Sequence, residues 1–207
     1  MHGRCVTQHH TFLLKGRFTT KLTATAGVLV LVAGLFVWSV AARPTPSSAA
    51  VAPSCTTSQL DVWLNTSGNG AAGSSYYSLN LTNLSAHSCT LYGYPGVSAV
   101  TQVGIQLGSS AAFDPAHPSS RVTLTSARTA QGFENSTSRN TATVIMQITV
   151  AENFPLSVCA PITAAGLRVY PPGQKESTVV PFPFVACAKA GPRFLHVESV
   201  QRYVATQ

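Results

Sequence analysis

The chain has 207 residues, of which 9% are charged and 45% are hydrophobic, whereas about a quarter of an ordinary soluble domain is Asp, Glu, Lys or Arg. Small hydroxyl residues, 22 Ser and 23 Thr, take the place of charge on the surface. That composition excludes a long coiled coil and a Lys/Glu-rich helical bundle, and the spread of Leu, Val, Ile, Phe and Tyr excludes a fully disordered chain.

Residues 1–21 carry Arg4, Lys15, Arg17 and Lys21 and no acid. They precede an apolar run, Leu22 to Ala42, of 21 residues, about the length a helix needs to cross a hydrocarbon core. The basic flank places the N-terminus in the cytoplasm and exports the chain beyond Ala42. Ser39-Val40-Ala41 fits a small-x-small cleavage pattern while the run is long for a signal-peptide core, so both a cleaved signal peptide and a retained transmembrane anchor stand. Ala52-Pro53-Ser54 lacks the large aliphatic residue expected ahead of a lipidated cysteine. Residues 43–54, rich in Pro, Ser and Ala, read as a linker, and the extracytoplasmic domain spans 55–207.

From Cys55 onward the apolar residues recur with period two, broken by Gly, Pro, Asn and Ser clusters, which predicts an all-β domain. Leu60, Val62 and Leu64 share one face of the first strand. Leu79 and Leu81 alternate with Ser78, Asn80 and Thr82 in the second. Further strands carry Val122 with Leu124, Leu167 with Val169, and Leu195 with Val197. The clearest is Thr143 to Val150, with Val144, Met146, Ile148 and Val150 inward and Gln147 and Thr149 outward. Pro181 and Pro183 place Val179 to Ala186 at a sheet edge, where a missing N–H costs no ladder bond. Ser67-Gly68-Asn69-Gly70, Tyr94-Pro95-Gly96, Asp114-Pro115, His117-Pro118 and Pro171-Pro172-Gly173 read as turns. Eight or nine antiparallel strands in one domain point to an immunoglobulin-like β-sandwich, with a closed barrel as the alternative.

Cys5 lies before the export segment, which leaves Cys55, Cys89, Cys159 and Cys187 as an even set in an oxidising compartment. Four cysteines admit three pairings. Joining neighbouring segments favours Cys55 with Cys89 and Cys159 with Cys187, each worth roughly 3.5 kcal/mol by the chain-entropy estimate. No C-x2-4-C pair or His-Cys-His-Met set is present, so no metal or other cofactor is expected.

The charge has a topological explanation. Five of the 13 basic residues flank the export segment, leaving eight against six acids in the domain. A nearly neutral domain without a clustered basic run is not read as a nucleic-acid binder. Its acids, Asp61, Asp114, Glu134, Glu152, Glu176 and Glu198, are dispersed in sequence and suggest no carboxylate pair. His87, His117 and His196 stand without a G-x-S-x-G elbow, and no Gly-rich phosphate loop occurs. His196 is assigned to the outward face of its strand. Sequons at Asn65, Asn80, Asn83 and Asn135 follow from the abundance of Ser and Thr. Trp63, on the polar face of its strand, and Tyr76 and Tyr77 are candidate surface-binding residues, while Tyr92 and Tyr94 are expected to pack their rings over the sheet edge; Tyr170 completes the aromatic set.

The segments Leu79-Asn80-Leu81-Thr82-Asn83 and Cys89-Thr90-Leu91-Tyr92-Gly93-Tyr94-Pro95-Gly96-Val97 resemble an exported actinobacterial family, domain of unknown function 4232. Gly166-Leu167-Arg168-Val169-Tyr170-Pro171-Pro172 and Cys187 extend the resemblance toward the C-terminus. It implies an envelope or secreted protein with an immunoglobulin-like sandwich and paired disulfides, and it implies no activity or catalytic residue. The expected function is that of a non-catalytic binding or structural module of the cell envelope, secreted or membrane-tethered, whose partner is an envelope protein or glycan. The rival is an extracytoplasmic hydrolase using His87 or His117 with a nearby Ser.

Overall fold

The computed structural model describes residues 51–126 and 139–203. The candidate export segment 22–42, the chain before it and most of the linker lie outside the described residues, as do Glu134 and Asn135. No helix among the described residues is long and apolar enough to cross a membrane.

The strands are β1 Leu60–Ala71, β2 Ser74–Asn83, β3 Cys89–Tyr92, β4 Gly96–Val100, β5 Gln106–Leu107, β6 Ala112–Phe113, β7 Arg121–Leu124, β8 Thr141–Thr149, β9 Pro161–Tyr170, β10 Thr178–Cys187, β11 Leu195–Val197 and β12 Gln201–Arg202. A short helix, α1 Leu156–Cys159, precedes β9. Six strands form one sheet in the order β1-β2-β8-β11-β6, with β12 following β11 along the same side of β8. Four form a second sheet, β10-β9-β4-β5, and β3 pairs with β7. Both larger sheets are open, which removes the closed-barrel alternative. Pairing between strands is antiparallel except for β11 with β6.

Alternation explains the core. Leu79 and Leu81 of β2, Val144, Met146 and Ile148 of β8, and Leu195 and Val197 of β11 turn one way. Val97 and Ala99 of β4, with Leu167 and Val169 of β9, meet them in a single buried cluster that also takes in Leu91, Val122 and Leu124. Burying each Leu or Val stabilises by about 1.5–3 kcal/mol. Val150, expected inward, lies beyond the end of β8 and is exposed, its N–H bonded to the Gly73 carbonyl. β10 sits at the edge of its sheet, in keeping with its prolines.

The Ser67-Gly68-Asn69-Gly70 cluster is not a turn. It lies inside β1, where the register jumps from Asn65 opposite Ser78 to Asn69 opposite Tyr76, leaving extra residues bulged out. Asn65 Oδ1 accepts the Ser67 N–H within this bulge. Gly68 passes so close to Tyr77 that an added Cβ would stand 2.6 Å from its ring. The actual hairpin turn is Ala72-Gly73, both at positive φ, the two-residue geometry that suits the twist of antiparallel strands.

The bridges join Cys55 to Cys89 and Cys159 to Cys187. The first holds the leading segment to β3, where Cys55 N–H bonds to the Thr90 carbonyl and Thr90 N–H to the Pro53 carbonyl. The second closes the open end of the β9–β10 hairpin, beside the Pro161–Cys187 pair.

Candidate functional site

The residues of the L-x-L-T-N and C-T-L-Y-G-Y-P-G segments have structural duties. Leu79, Leu81 and Leu91 are core, and Cys89 is bridged. Asn83, fully buried, donates from Nδ2 to the His87 and Thr125 carbonyls while its Oδ1 accepts from the backbone N–H and hydroxyl of Ser85. All four groups of that amide are therefore used, and the 84–88 loop is clasped to the end of β7. The Gly93 carbonyl accepts the Val200 N–H. Asn80 is buried as well, so neither sequon offers its amide to solvent, whereas Asn65 is half-buried. Tyr94 stacks on Phe113 with centroids 4.6 Å apart, as a packed ring should, but Tyr92 is 59% exposed and covers nothing comparable. Tyr170 is half-buried beside Gly96.

The three candidate binding aromatics part company. Trp63 and Tyr76 lie on the outer face of the six-stranded sheet, opposite Asn80 and Gln147 respectively. Tyr77 faces the other way: it packs against the core, its ring edge-on to Phe182 at 5.0 Å, and is corrected from a surface residue to a half-buried one. The outer face is a lattice of amides and hydroxyls. Thr143 Oγ1 donates to Asn80 Oδ1, Gln147 Nε2 donates to Ser74 Oγ, and Trp63 Nε1 donates to Thr82 Oγ1 at 3.1 Å. Thr82 Oγ1 in turn lies 3.0 Å from Thr141 Oγ1.

A groove runs over this face where β8 meets the turn between β11 and β12. Asp114 N–H bonds to the Val197 carbonyl and Ser199 Oγ donates to the His117 carbonyl, which pins the 114–118 loop against β11. That brings His117 Nδ1 to 2.8 Å from Glu198 Oε2, the one contact between a basic and an acidic side chain within salt-bridge distance among the described residues; the His side chain is 54% exposed and the Glu 16%. A cavity of about 200 Å³ beside it is lined by Ser78, His117, Thr143, Ile145, Glu198, Gln201 and Arg202. A recess of about 10 Å³, room for one water, lies between Tyr76, Asp114, Ile145, Gln147, His196 and Glu198. His196 is outward, opposite Gln147, and its Nδ1 is buried without a hydrogen-bond partner among the described residues.

His87 contributes only backbone atoms to the hydrogen bonds around it. Asp61, Glu152 and Glu176 do not line this groove. Among the described residues no group of three or more His, Cys, Asp or Glu side chains is placed to hold a metal ion, and no hydrogen bond joins Ser78 Oγ to His117. Glu198 and Arg202 have no prominence in the sequence, because their approach to His117 depends on β11 and β12 pairing in succession with β8. The one signal there is the spacing of His196 and Glu198, two residues apart and so on one strand face.

These features define a β-rich, doubly bridged domain with a polar groove on one sheet. Residues 55–133 match the family model described as Domain of unknown function (DUF4232). No curated protein matches the chain. The match covers β1 to β7 and stops short of β8 to β12, so the resemblance expected for residues 166–187 lies outside it, as do His196, Glu198 and Arg202.

Proposed function

We propose that this chain is an exported, non-catalytic binding module of the cell envelope, released or tethered by residues 22–42, whose two sheets form an immunoglobulin-like sandwich. The observation that carries the reading is the groove on the outer face of the six-stranded sheet, where His117, Glu198 and Arg202 converge around a cavity of about 200 Å³ and Tyr76 lines the small adjoining recess that shares Glu198 with it. Concave sites with a few convergent polar groups on a rigid scaffold are where ligands bind. The two bridges suit an oxidising compartment. A pull-down from envelope extract with the full chain as bait tests the reading: capture of a component that is lost on Glu198→Ala and Tyr76→Ala supports it, and capture indifferent to both variants overturns it.

Hydrolysis is a second reading, favoured by the Glu198 carboxylate on His117 Nδ1, the orientation in which a histidine presents Nε2 as a base. Ser78 lines the same cavity and is the nucleophile this reading would use. Labelling by a serine-reactive phosphonate, lost in His117→Ala and Ser78→Ala but kept in His87→Ala, is its signature. An unlabelled wild-type chain removes it.

A further inference from the structure

Beside the groove lies a second cavity of about 250 Å³, lined by Val122, Thr123, Thr125, Arg139, Thr141 and Arg202. It forms where β7, the start of β8 and β12 come together. Two arginines and three threonines line one space, the Thr141 hydroxyl being already bonded to Asn140 Oδ1 and in contact with Thr82 Oγ1, and among the described residues none of the lining side chains is a carboxylate. Among the described residues no carboxylate lies within salt-bridge distance of Arg139 or Arg202, the single contact of that kind being His117 with Glu198. Arg121, exposed and two residues before Thr123, occupies the same face of β7 and donates to Thr90 Oγ1. Two of the eight basic residues beyond the linker thus line one cavity in a domain of little net charge.

We infer that this cavity binds an oxyanion, a phosphate or carboxylate group, carried on a polyhydroxylated ligand that continues into the neighbouring groove. This inference rests on the binding reading above and names the ligand class. The guanidinium fork matches the paired oxygens of such anions, and hydroxyl donors complete their coordination. Arg202 lines both cavities, so a ligand seated on it reaches Ser78, Thr143 and Gln201, whose hydroxyl and amide groups suit sugar or polyol hydroxyls. Glu198 repels a second anion from the groove and accepts hydroxyl protons, which sets the direction in which the ligand lies. A membrane surface fits less well, because no exposed large apolar side chain lines either cavity.

Trp63 provides the readout. Its Nε1 donates to Thr82 Oγ1, which contacts Thr141 Oγ1 on the cavity wall. In the full chain held in detergent, with Trp38→Phe leaving Trp63 as the only tryptophan, four probes are titrated: inorganic phosphate, poly(glycerol phosphate), a neutral dextran oligosaccharide, and phosphatidylglycerol vesicles. The expected result is a saturable Trp63 change with both phosphates, tighter for the polymer and weakened by salt. R139Q with R202Q should weaken polymer binding at least about tenfold with an unchanged melting temperature, and R139K with R202K should recover only part of it because the fork is lost. Binding of the polymer unaffected by R139Q with R202Q overturns the inference, as does binding of vesicles alone. Dextran binding that survives R139Q with R202Q leaves the binding reading standing and removes the anion from it. No response to any probe, by fluorescence or by calorimetry, overturns the inference, while the pull-down judges the binding reading separately.

Discussion

On the outer face of the six-stranded sheet, Trp63, Ser74, Asn80, Thr82, Thr143 and Gln147 hydrogen-bond to one another or to neighbouring backbone, whereas β10, at the edge of the four-stranded sheet, turns Val179, Pro181, Pro183 and Val185 outward. The two sheets share one core and present opposite chemistry outside it. The polar face is built by partners: Asn80 is fully buried and tolerable there because Thr143 donates to its oxygen and its amide donates to the Ser78 carbonyl. The apolar edge needs no partners, since single exposed apolar residues are ordinary on protein surfaces. The contrast teaches that exposed hydrophobicity does not mark the candidate site here. Convergent polar side chains do, and they line the two cavities along β8.

The largest effects should come from what the sheets have in common. Leu81→Ala in β2 and Leu167→Ala in β9 remove fully buried side chains from the one core, and each should cost about 2–5 kcal/mol. Urea unfolding should remain a single cooperative transition in both variants. Two separated transitions, one per sheet, would break the shared-core comparison. Next comes the Cys159–Cys187 bridge, which belongs to the four-stranded sheet. Replacing both cysteines by serine should cost roughly 3.5 kcal/mol, the denatured-chain entropy estimate for such a loop. A loss below about 1 kcal/mol would mean the hairpin is held by its ladder and by packing.

The two outer faces themselves can be set against each other with single substitutions. Asn80→Ala removes an acceptor and a donor from a buried lattice and should cost about 1–3 kcal/mol by leaving the Thr143 hydroxyl and the Ser78 carbonyl short of partners. Val179→Ala, on an exposed position of β10, should stay within about 0.5 kcal/mol. Equal losses in thermal melts would show that the polar lattice contributes no more than an ordinary surface.

Much of this architecture is legible in the sequence because period two is a local property. The alternation in 143–150 identifies β8 and its inward Met146, and Pro181 with Pro183 identifies an edge strand. The hairpin turn is misplaced by sequence for an equally local reason. Ser67-Gly68-Asn69-Gly70 carries turn residues but is used for a bulge, while Ala72 gives no warning of a positive φ. The two-residue strands β5, β6 and β12 are too short to have a period. The groove and the basic cavity are hidden because Arg202 joins Glu198 in one and Arg139 in the other only after distant strands pair, and no spacing in the sequence encodes either meeting.

The smallest effect on stability should accompany a large one on association. β10 is an edge strand with an apolar outward row, which is the profile of a surface that pairs with another chain. Pro181 and Pro183 remove two N–H donors from it, and the register shift between Pro181 and Phe184 bends it further from a flat template. Pro181→Thr with Pro183→Thr should therefore change the unfolding free energy by less than about 1 kcal/mol while raising self-association, seen as a concentration-dependent increase in sedimentation coefficient. The matching control is Asp61→Thr on β1, the edge of the polar sheet. If both edges associate equally after substitution, the prolines are not what keeps β10 apart. If β10 stays monomeric at every concentration, its apolar row is harmless without them, and the difference between the two outer faces reduces to the polar cavities along β8.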